Sequence, residues 1–398
     1  MHILISSAGR RVGLLRCFRD SLRRLGVAGR IVAADASLQA PALHFADSFF
    51  STPRCDDPAF VPRLMDIAAR ERIDLIVPTI DPELAVYARA RPLLAAQRTA
   101  VAISSAEAVA ICADKQQTHR WLRRHGFPTP AQQDLAEALA NPIAGFPRIA
   151  KPRHGSGSVG VRRVGSYEEL RALASQLEEP DSRAFRDRQP LTEIRRQIVG
   201  ATGRETGRET GGQTAGLGEY VVEEIASGEE HTINVFVDAA GVCRSAVPHR
   251  RIEVRAGEVS KAVTVRHAGL IDVARRIAEA LPGGRGPLSI QCFLAPDGSL
   301  RVTEINARFG GGYPLTHRAG ARFTDWMLEE LLAVPSSAAN DWTDNLTMLR
   351  YDREVFVSGD SQPTRMSTRM STRKPTRVPT RVPAGMEDRP RPAPMLIA

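Results

Sequence analysis

The N-terminal part of the chain alternates short apolar runs with stretches of helical periodicity, which predicts four strands and three helices. The strands are expected at residues 1–6, 31–34, 74–79 and 100–104, and the helices at residues 12–25, 60–70 and 83–94. Strands that alternate with helices favour a doubly wound parallel sheet. Because such sheets bind ligands at the carboxyl ends of their strands, we expect residues 7–10, Asp35 and residues 79–81 to line one crevice.

The loop after the first predicted strand does not support a dinucleotide site. Its sequence, SAGRRVG at residues 7–13, lacks the GxGxxG spacing that confines a pyrophosphate, so nicotinamide binding is not favoured. Asp35, at the end of the second predicted strand, fits a ligand contact, a helix cap or a solvated loop residue equally well.

Two lysines and a loop of small residues follow. Residues 105–126 form one long helical pattern that contains Lys115, and a strand at residues 146–151 ends in Lys151. The loop after it contains Gly155, Ser156, Gly157, Ser158 and Gly160. Small residues let backbone N–H groups approach an anion, which suits a phosphate-binding loop. A plain hairpin turn is the commoner explanation, and the Walker pattern is absent.

Charged residues accumulate on the next predicted strands. Residues 220–225 and 228–237 are strand-like runs joined by a short turn, and they carry several glutamates. A later stretch, residues 247–255, is basic and contains Arg250 and Arg251. Surface strands often alternate charges, so each of these residues taken singly is more often solvated than functional.

Residues 288–308 have the pattern of a β-hairpin around the pair Asp297-Gly298. This pair suits a tight two-residue turn. With such a turn as the loop, Gln291 lies directly opposite Glu304. The register of the hairpin is therefore a prediction that a structure can test.

The hairpin places several oxygen-bearing side chains together. Because side chains alternate between the two faces of a strand, Asn306 and Arg308 project from the same face as Glu304. One carboxylate, two amide oxygens and a fixed cation suit a divalent cation that holds phosphates. A solvated polar face is the simpler alternative for the hairpin considered alone.

The formal net charge of +9 suggests nucleic-acid binding, but most of the excess lies at the end of the chain. Residues 361–398 contain eight Lys and Arg and two acidic residues, a net charge of +6, within Thr-, Arg- and Pro-rich tetrapeptide repeats. This composition cannot build a core, so residues 356–398 are predicted to be a disordered basic tail rather than a binding arm. A polar stretch at residues 178–218, with its own repeat, is interpreted as a loop insertion.

The remaining composition is typical of a cytoplasmic enzyme. No apolar run is long enough to span a membrane, and no basic region followed by an apolar stretch opens the chain. The five cysteines form no CxxC pair, which favours reduced thiols over a zinc site or a disulfide framework.

Three segments carry a family resemblance: KPRHGSGSVGV, VVEEIASGEEHTINV and IQCF followed by VTEINARFGGGYP. Their order resembles the ATP-grasp superfamily, most closely the synthetase halves of the carbamoyl phosphate synthetase large subunit and their single-copy relatives. Biotin carboxylase is a more distant likeness. The resemblance covers about residues 1–355.

This resemblance implies an α/β fold of two parts. Residues 1–112 would form an N-terminal doubly wound parallel α/β substrate domain, and residues 113–355 a two-lobed α+β ATP-grasp fold. Within the second part, a lid subdomain is expected at about residues 146–222, interrupted by the insertion.

The resemblance also implies residue roles. The positions matched for ATP are Lys115 and Lys151 for the phosphates, Gly155, Ser156, Gly157, Ser158 and Gly160 for the closing loop, Glu223, Glu224 and Ile225 for the adenine hinge, and Glu230 for the ribose. The positions matched for metal and catalysis are Gln291, Glu304 and Asn306 for magnesium, and Arg308 with Lys151 for the acyl phosphate. Gln291 departs from many relatives, which have glutamate there, and this puts the affinity for a second ion in doubt.

The implied activity is that of an ADP-forming ligase that joins a carboxylate to an amine, with ATP and Mg²⁺, or Mn²⁺ in its place. Three alternatives stay open: an ATP-grasp kinase, a carbamoyl-phosphate-synthase-like activity and a non-catalytic nucleotide-binding module. The expected partners are small molecules, without a membrane or nucleic acid, and a homodimer is left open. Candidate substrate contacts are Ser7, Arg10, Asp81, Arg250 and Arg251, each of which fits an ordinary surface position at least as well.

Overall fold

A computed structural model describes residues 1–141, 145–155, 157, 159–178, 217–255 and 257–357. The predictions for Ser156, Ser158, most of the insertion at 178–218 and the tail from residue 358 lie outside the described residues. Within these ranges, no helix has the length and apolar character needed to cross a membrane.

The N-terminal unit is a five-stranded parallel sheet covered by helices on both faces. Its strands are β1 (His2–Ile5), β2 (Arg30–Asp35), β3 (Ser48–Ser51), β4 (Leu75–Val77) and β5 (Ala100–Val101), and its helices are α1 (Val12–Arg24), α2 (Phe60–Glu71) and α3 (Asp81–Ala96). The strand order is β3-β2-β1-β4-β5. Ile3 and Ile5 pack with α1, whereas Leu4 packs with α2 and α3. The predicted doubly wound sheet is confirmed. The short strand β3 was missed because it contains only two apolar residues.

The single helix predicted at residues 105–126 is wrong. Two helices, α4 (Ala106–Ala113) and α5 (Lys115–Arg124), meet at Asp114. The Asp114 carboxylate accepts hydrogen bonds from the backbone N–H groups of Gln116 at 2.9 Å and Gln117 at 3.4 Å, so it caps the second helix. The break makes Lys115 the first residue of α5.

A four-stranded sheet follows, in the order β6-β9-β7-β8. Its strands are β6 (Gln132–Asp134), β7 (Arg148–Pro152), β8 (Arg162–Val164) and β9 (Tyr220–Glu224), with helices α6 (Leu135–Ala140) and α7 (Tyr167–Glu178). Side chains of both helices pack with those of β7, β8 and β9 in a small separate core. We call this sheet with its helices the small lobe.

The largest sheet has six antiparallel strands in the order β14-β13-β10-β11-β12-β15. Its strands are β10 (Glu229–Val237), β11 (Cys243–Arg255), β12 (Glu258–Thr264), β13 (Gly286–Leu294), β14 (Leu300–Asn306) and β15 (Thr347–Leu349). The accompanying helices are α8 (Ala268–Ala280), α9 (Tyr313–Arg318) and α10 (Phe323–Leu332), and two short 3₁₀ helices lie at Pro41–Phe45 and Leu217–Glu219. The predicted fold class, a parallel α/β unit followed by a two-lobed α+β fold, is confirmed.

The six-stranded sheet shares its cores with the N-terminal unit. Ile233, Ile290 and Ile305 are fully buried in the same core as Leu4 of β1. The two units also meet where α1 contacts α9. A Cβ atom at Gly13 of α1 would lie 2.8 Å from the Pro314 ring of α9, so only glycine allows these helices to approach so closely. The two units are therefore held together by extensive packing.

Candidate active site

The hairpin register is confirmed, although the predicted turn is wrong. Gln291 pairs with Glu304, but Leu294 pairs with Leu300, so the loop between the strands is longer than two residues. Three residues, Pro296 to Gly298, lie between the closing pair Ala295 and Ser299. Only Gly298 has a positive φ, of 82°, whereas a two-residue turn of the predicted type needs one at Asp297 as well.

A bulge restores the predicted register. Counted back from the three-residue loop, Gln291 would face Thr303, but the pairing shifts by one residue between Cys292 and Gln291. Thr303 is thus the extra residue of β14. The bulge is what places Glu304 on the same face as Gln291.

A row of polar side chains crosses the six-stranded sheet on the face opposite the isoleucines. Glu304 pairs with Gln291, Gln291 with Thr232, and Thr232 with His249, so all four share one face. In a parallel second row, Asn306 pairs with Ser289 and Ser289 with Asn234. This polar face forms the floor of the candidate site.

The metal-ligand prediction fits this floor chemically. The structure brings Gln291, Glu304 and Asn306 together as one carboxylate and two amide oxygens, which are hard donors of the kind that Mg²⁺ prefers. In the described part of the chain, no three His, Cys, Asp or Glu side chains converge on a metal position. A cation bound here would therefore depend on a single carboxylate and on oxygens supplied by a ligand.

Lys151 of β7 and Glu223 of β9 form a buried ion pair in the small lobe. Their Nζ and Oε1 atoms are 2.5 Å apart, and both side chains are 8% exposed. The second oxygen of Glu223 accepts a hydrogen bond from the amide of Gln132 at 3.2 Å. The structure thus places Glu223, predicted for the adenine hinge, directly on the lysine predicted for the phosphates. The side-chain oxygen of Gln132 is buried without a partner among the described residues, a position that sequence reasoning missed.

Lys115 connects α5 to the glycine-rich loop. Its Nζ donates a hydrogen bond to the backbone oxygen of Gly155 at 2.7 Å. Burial lowers the pKa of Lys115, and the nearby Glu304 carboxylate partly opposes this shift. Gly157 and Gly160 of the loop have φ values of 72° and 74°, which L side chains rarely adopt.

The other predicted nucleotide contacts lie at the edge of the floor and the small lobe. Glu224 is exposed and accepts a hydrogen bond from the Ala131 N–H at 3.2 Å, and Ile225 is 42% exposed. Glu230 is paired with Arg251. Arg250 and Arg251, both candidate substrate contacts, lie on β11, and Arg250 is 2.6 Å from Glu229. Both arginines therefore already have acidic partners.

The loops at the carboxyl ends of the parallel strands, where the crevice is predicted, are joined by hydrogen bonds. The Gly9 N–H donates to the Asp35 carboxylate at 2.8 Å, and the Thr79 hydroxyl donates to the Ser7 carbonyl at 2.6 Å. Ser7 has a positive φ of 46°, an unusual conformation for serine. Arg10 is exposed beside them.

Sequence reasoning missed a buried carboxylate below this crevice. Glu83 is fully buried and accepts hydrogen bonds from the hydroxyls of Ser6 at 2.7 Å and Ser7 at 2.9 Å, and from the Thr79 N–H at 2.6 Å. Burial raises the pKa of Glu83, against the opposing effect of these donors. An acidic residue in the first turn of a predicted helix reads as an ordinary cap, so nothing in the sequence marked it.

His249 was also missed. It is fully buried at the end of the polar row, and neither ring nitrogen has a hydrogen-bond partner among the described residues. Burial, assisted by the charge of Arg251, lowers the pKa of His249 to about 3, so the ring is neutral. Its signal in the sequence was hidden by the basic residues that follow it.

Arg308 joins the floor to the N-terminal unit. Its Nε atom donates to Asp81 Oδ1 at 2.8 Å and its Nη2 atom to Asp81 Oδ2 at 2.5 Å. Asp81 is the first residue of α3, within the segment predicted to line the crevice. Through Asp81, the structure places the predicted catalytic arginine against the predicted substrate unit.

The comparisons with known proteins agree with this geometry. Residues 217–353 match the family described as ATP-grasp in the biosynthetic pathway with Ter operon, and residues 3–102 match the PylC-like N-terminal domain. The chain contains an ATP-grasp domain. The predicted resemblance to this superfamily is therefore confirmed. No curated protein matches the chain by sequence.

Solved ATP-grasp structures share the fold. A biotin carboxylase–β,γ-ATP complex from Campylobacter jejuni is 18% identical, with a TM-score of 0.62 over 87% of this chain and 74% of that one. The biotin carboxylase domain dimer of 2-oxoglutarate carboxylase from Hydrogenobacter thermophilus, with MgADP and bicarbonate, is 16% identical, with a TM-score of 0.61 over 87% and 73%. N5-carboxyaminoimidazole synthetase from Staphylococcus aureus is 14% identical, with a TM-score of 0.57 over 85% and 78%. At these identities the likeness shows the fold alone.

Proposed function

We propose that this chain is an ATP- and Mg²⁺-dependent ligase. It activates a carboxylate as an acyl phosphate, which an amine or a similar nucleophile then attacks, with release of ADP and phosphate. The ATP-grasp domain and the carboxylase and synthetase structures that share its fold support this reaction class. The observation that carries the proposal is the convergence of the floor, the small lobe and the N-terminal crevice on one set of charged side chains.

Three cations would act on the phosphates. Burial lowers the pKa of Lys115, and the charges of Glu304, Lys151 and Asp81 also act on it, so each of these three groups lies near Lys115. Lys115 and Lys151 would bind the ATP phosphates, with the glycine-rich loop closing over them. Arg308 would stabilise the charge on the phosphoryl group during its transfer.

The floor would hold the metal. Gln291, Glu304 and Asn306 would bind Mg²⁺, or Mn²⁺ in its place, which neutralises phosphate charge when bound. Arg308 donates to Asn306 Oδ1 at 3.3 Å, so this proposed ligand oxygen lies beside the proposed catalytic arginine. The small lobe would exclude water from the site, which is needed because an unshielded acyl phosphate hydrolyses.

The adenine and ribose would lie between the lobes. We assign Glu223, Glu224 and Ile225 to the edge that reads adenine and Glu230 to the ribose hydroxyls. The domain limits that accompany this proposal are residues 1–112 for the substrate domain, 113–355 for the ATP-grasp domain and 356–398 for the tail. The substrates are small molecules, the location is the cytoplasm, and neither nucleic acid nor a membrane takes part.

A screen of ADP and phosphate release tests the proposal. Purified protein is incubated with MgATP and pairs drawn from panels of carboxylates and amines, and each component is then omitted in turn. A ligase requires both co-substrates and liberates free phosphate. Release of ADP with a lone alcohol, without free phosphate, would instead identify a kinase.

Glu304→Gln provides the decisive variant. We expect it to lower ADP release by about 100-fold or more, since it removes the one carboxylate of the proposed metal site. Glu229→Gln is the matched control, because Glu229 is an exposed carboxylate that lies 2.6 Å from Arg250 and is not part of the proposed metal site. Unchanged ADP release by Glu304→Gln would overturn the catalytic assignment.

A further inference from the structure

The guanidinium group of Arg308 is almost fully occupied within the protein. Besides its two bonds to Asp81, Nη2 donates to Asn306 Oδ1 at 3.3 Å and Nη1 to the Phe309 carbonyl at 3.1 Å. An arginine has five N–H donors, so one remains without an acceptor among the described residues. The Arg308 and Asp81 side chains are 10% and 15% exposed, so water satisfies little of the remainder.

Asp81 accepts hydrogen bonds from the Nε and Nη2 edge of the Arg308 guanidinium, which is the edge that arginine side chains commonly use to bind anions. Parallel bonds from Nε and Nη2 match the two oxygens of a carboxylate or a phosphate. Asp81 therefore lies where the anion of a substrate would bind if Arg308 faces an acyl phosphate. We propose that Asp81 is a built-in competitor for this anion subsite, and that a substrate carboxylate or phosphate must displace it. This inference rests on the proposed function for the role of Arg308.

The position of Asp81 links this exchange to the substrate crevice. Asp81 follows Thr79, whose hydroxyl holds the Ser7 carbonyl, and precedes Glu83, which holds the Ser7 hydroxyl. Asp81 is the first residue of α3, so its displacement from Arg308 would act at the segment predicted to line the crevice. An anion at Arg308 and a second substrate in the crevice would thus be coupled through a single carboxylate.

A second carboxylate nearby provides the matched control. Glu258 lies 3.4 Å from Arg11 and 2.9 Å from Arg350, and its charge raises the pKa of Arg308. It makes no hydrogen bond to Arg308. Glu258→Gln therefore removes the same charge from the same surroundings without freeing any Arg308 donor.

The test measures the affinity for inorganic phosphate by isothermal titration calorimetry, with and without MgADP. Asp81→Asn is expected to bind phosphate about 10-fold more tightly than the wild type, because the competing carboxylate is gone. Asp81→Glu keeps the charge and should stay within about 2-fold, and Glu258→Gln within about 3-fold. Circular dichroism checks that each variant is folded, and Asp81→Ser replaces Asp81→Asn if the latter is not.

Three outcomes would overturn the inference: neutral variants at Asp81 that bind phosphate no more tightly, an equal gain from Glu258→Gln, or no phosphate binding by any variant. An equal gain would show a general charge effect rather than competition. Failure of the wild type to bind MgADP would count against the proposed function instead. The titrations with phosphate alone would still compare the variants.

Discussion

The six-stranded floor and the small lobe each supply a buried cation that is neutralised by a carboxylate, but they do so differently. Lys151 meets Glu223 on a neighbouring strand of the same sheet, 72 residues away in the chain. Arg308 meets Asp81 on a separate unit, 227 residues away. The first pair follows from strand register, whereas the second exists only because two units pack together. Under the proposed function, the small lobe would hold the nucleotide and the floor would respond to the substrate unit.

The largest expected effect concerns stability in the small lobe. Glu223→Gln leaves the buried Lys151 without its compensating charge, and we expect the free energy of unfolding to fall by about 3–5 kcal/mol. Chemical denaturation followed by circular dichroism measures it. Glu224→Gln is the control, because Glu224 is exposed on the adjacent position of the same strand. Equal losses from the two variants would remove the distinction between a buried pair and an edge charge.

The next effect separates the two cations by function. Arg308→Lys should lower turnover by about 100- to 1,000-fold with MgADP affinity retained, because lysine cannot make the paired contacts of a guanidinium. Lys151→Met should instead act mainly through weaker MgATP binding. Steady-state kinetics with the substrate pair found in the screen, together with calorimetry of MgADP, tests both. If both variants changed the same parameter, the proposed division of labour would be wrong.

A smaller effect should appear with pH at the buried end of the floor. The folded-state pKa of His249, about 3, lies below the ordinary value of 6.5. Between these two values, His249 is protonated in the unfolded chain but neutral in the folded chain. The contribution of His249 is therefore fully present above pH 6.5 and is lost as the pH falls toward 3. We expect a slope of about 1.4 kcal/mol per pH unit over that window.

His249→Gln should reduce this slope between pH 6 and 5 when unfolding free energies are compared at each pH. His125→Gln, at an exposed position, is the control for the loss of a histidine side chain. An unaltered slope in the His249 variant would show that the buried ring does not govern acid stability. The floor would then not differ from the small lobe in the pH dependence of its stability.

The smallest effect lies in the glycine-rich loop. Gly160 has a φ of 74°, and an added Cβ would lie 2.8 Å from the Pro152 ring, so Gly160→Ala should cost about 1–2 kcal/mol and weaken MgADP binding. Gly126→Ala is the matched control, since Gly126 has a φ of 70° with nothing within 4 Å of the added atom. The difference between the two variants in thermal unfolding and MgADP affinity separates the effect of steric crowding from that of backbone strain.

Most of the fold and part of the site could be predicted from the sequence. Periodicity placed β1, α1 and α2 within a few residues, and face alternation brought Gln291, Glu304 and Asn306 together. The break between α4 and α5 was missed because the helical pattern continues through Asp114, and only its capping bonds reveal the end. Glu83, His249 and the partnership of Asp81 with Arg308 depend on packing between distant segments, which no local pattern encodes.

The bulge at Thr303 has a consequence for protein engineering. Thr303 is the extra residue of β14, because Val302 before it pairs with Cys292 and Glu304 after it pairs with Gln291. Removal of Thr303 should therefore leave Glu304 opposite Gln291 in a regular ladder. A ladder that kept Thr303 but lost the bulge would instead pair Thr303 with Gln291 and turn Glu304 toward the isoleucine core, so homologous hairpins can lack this one residue without losing the site.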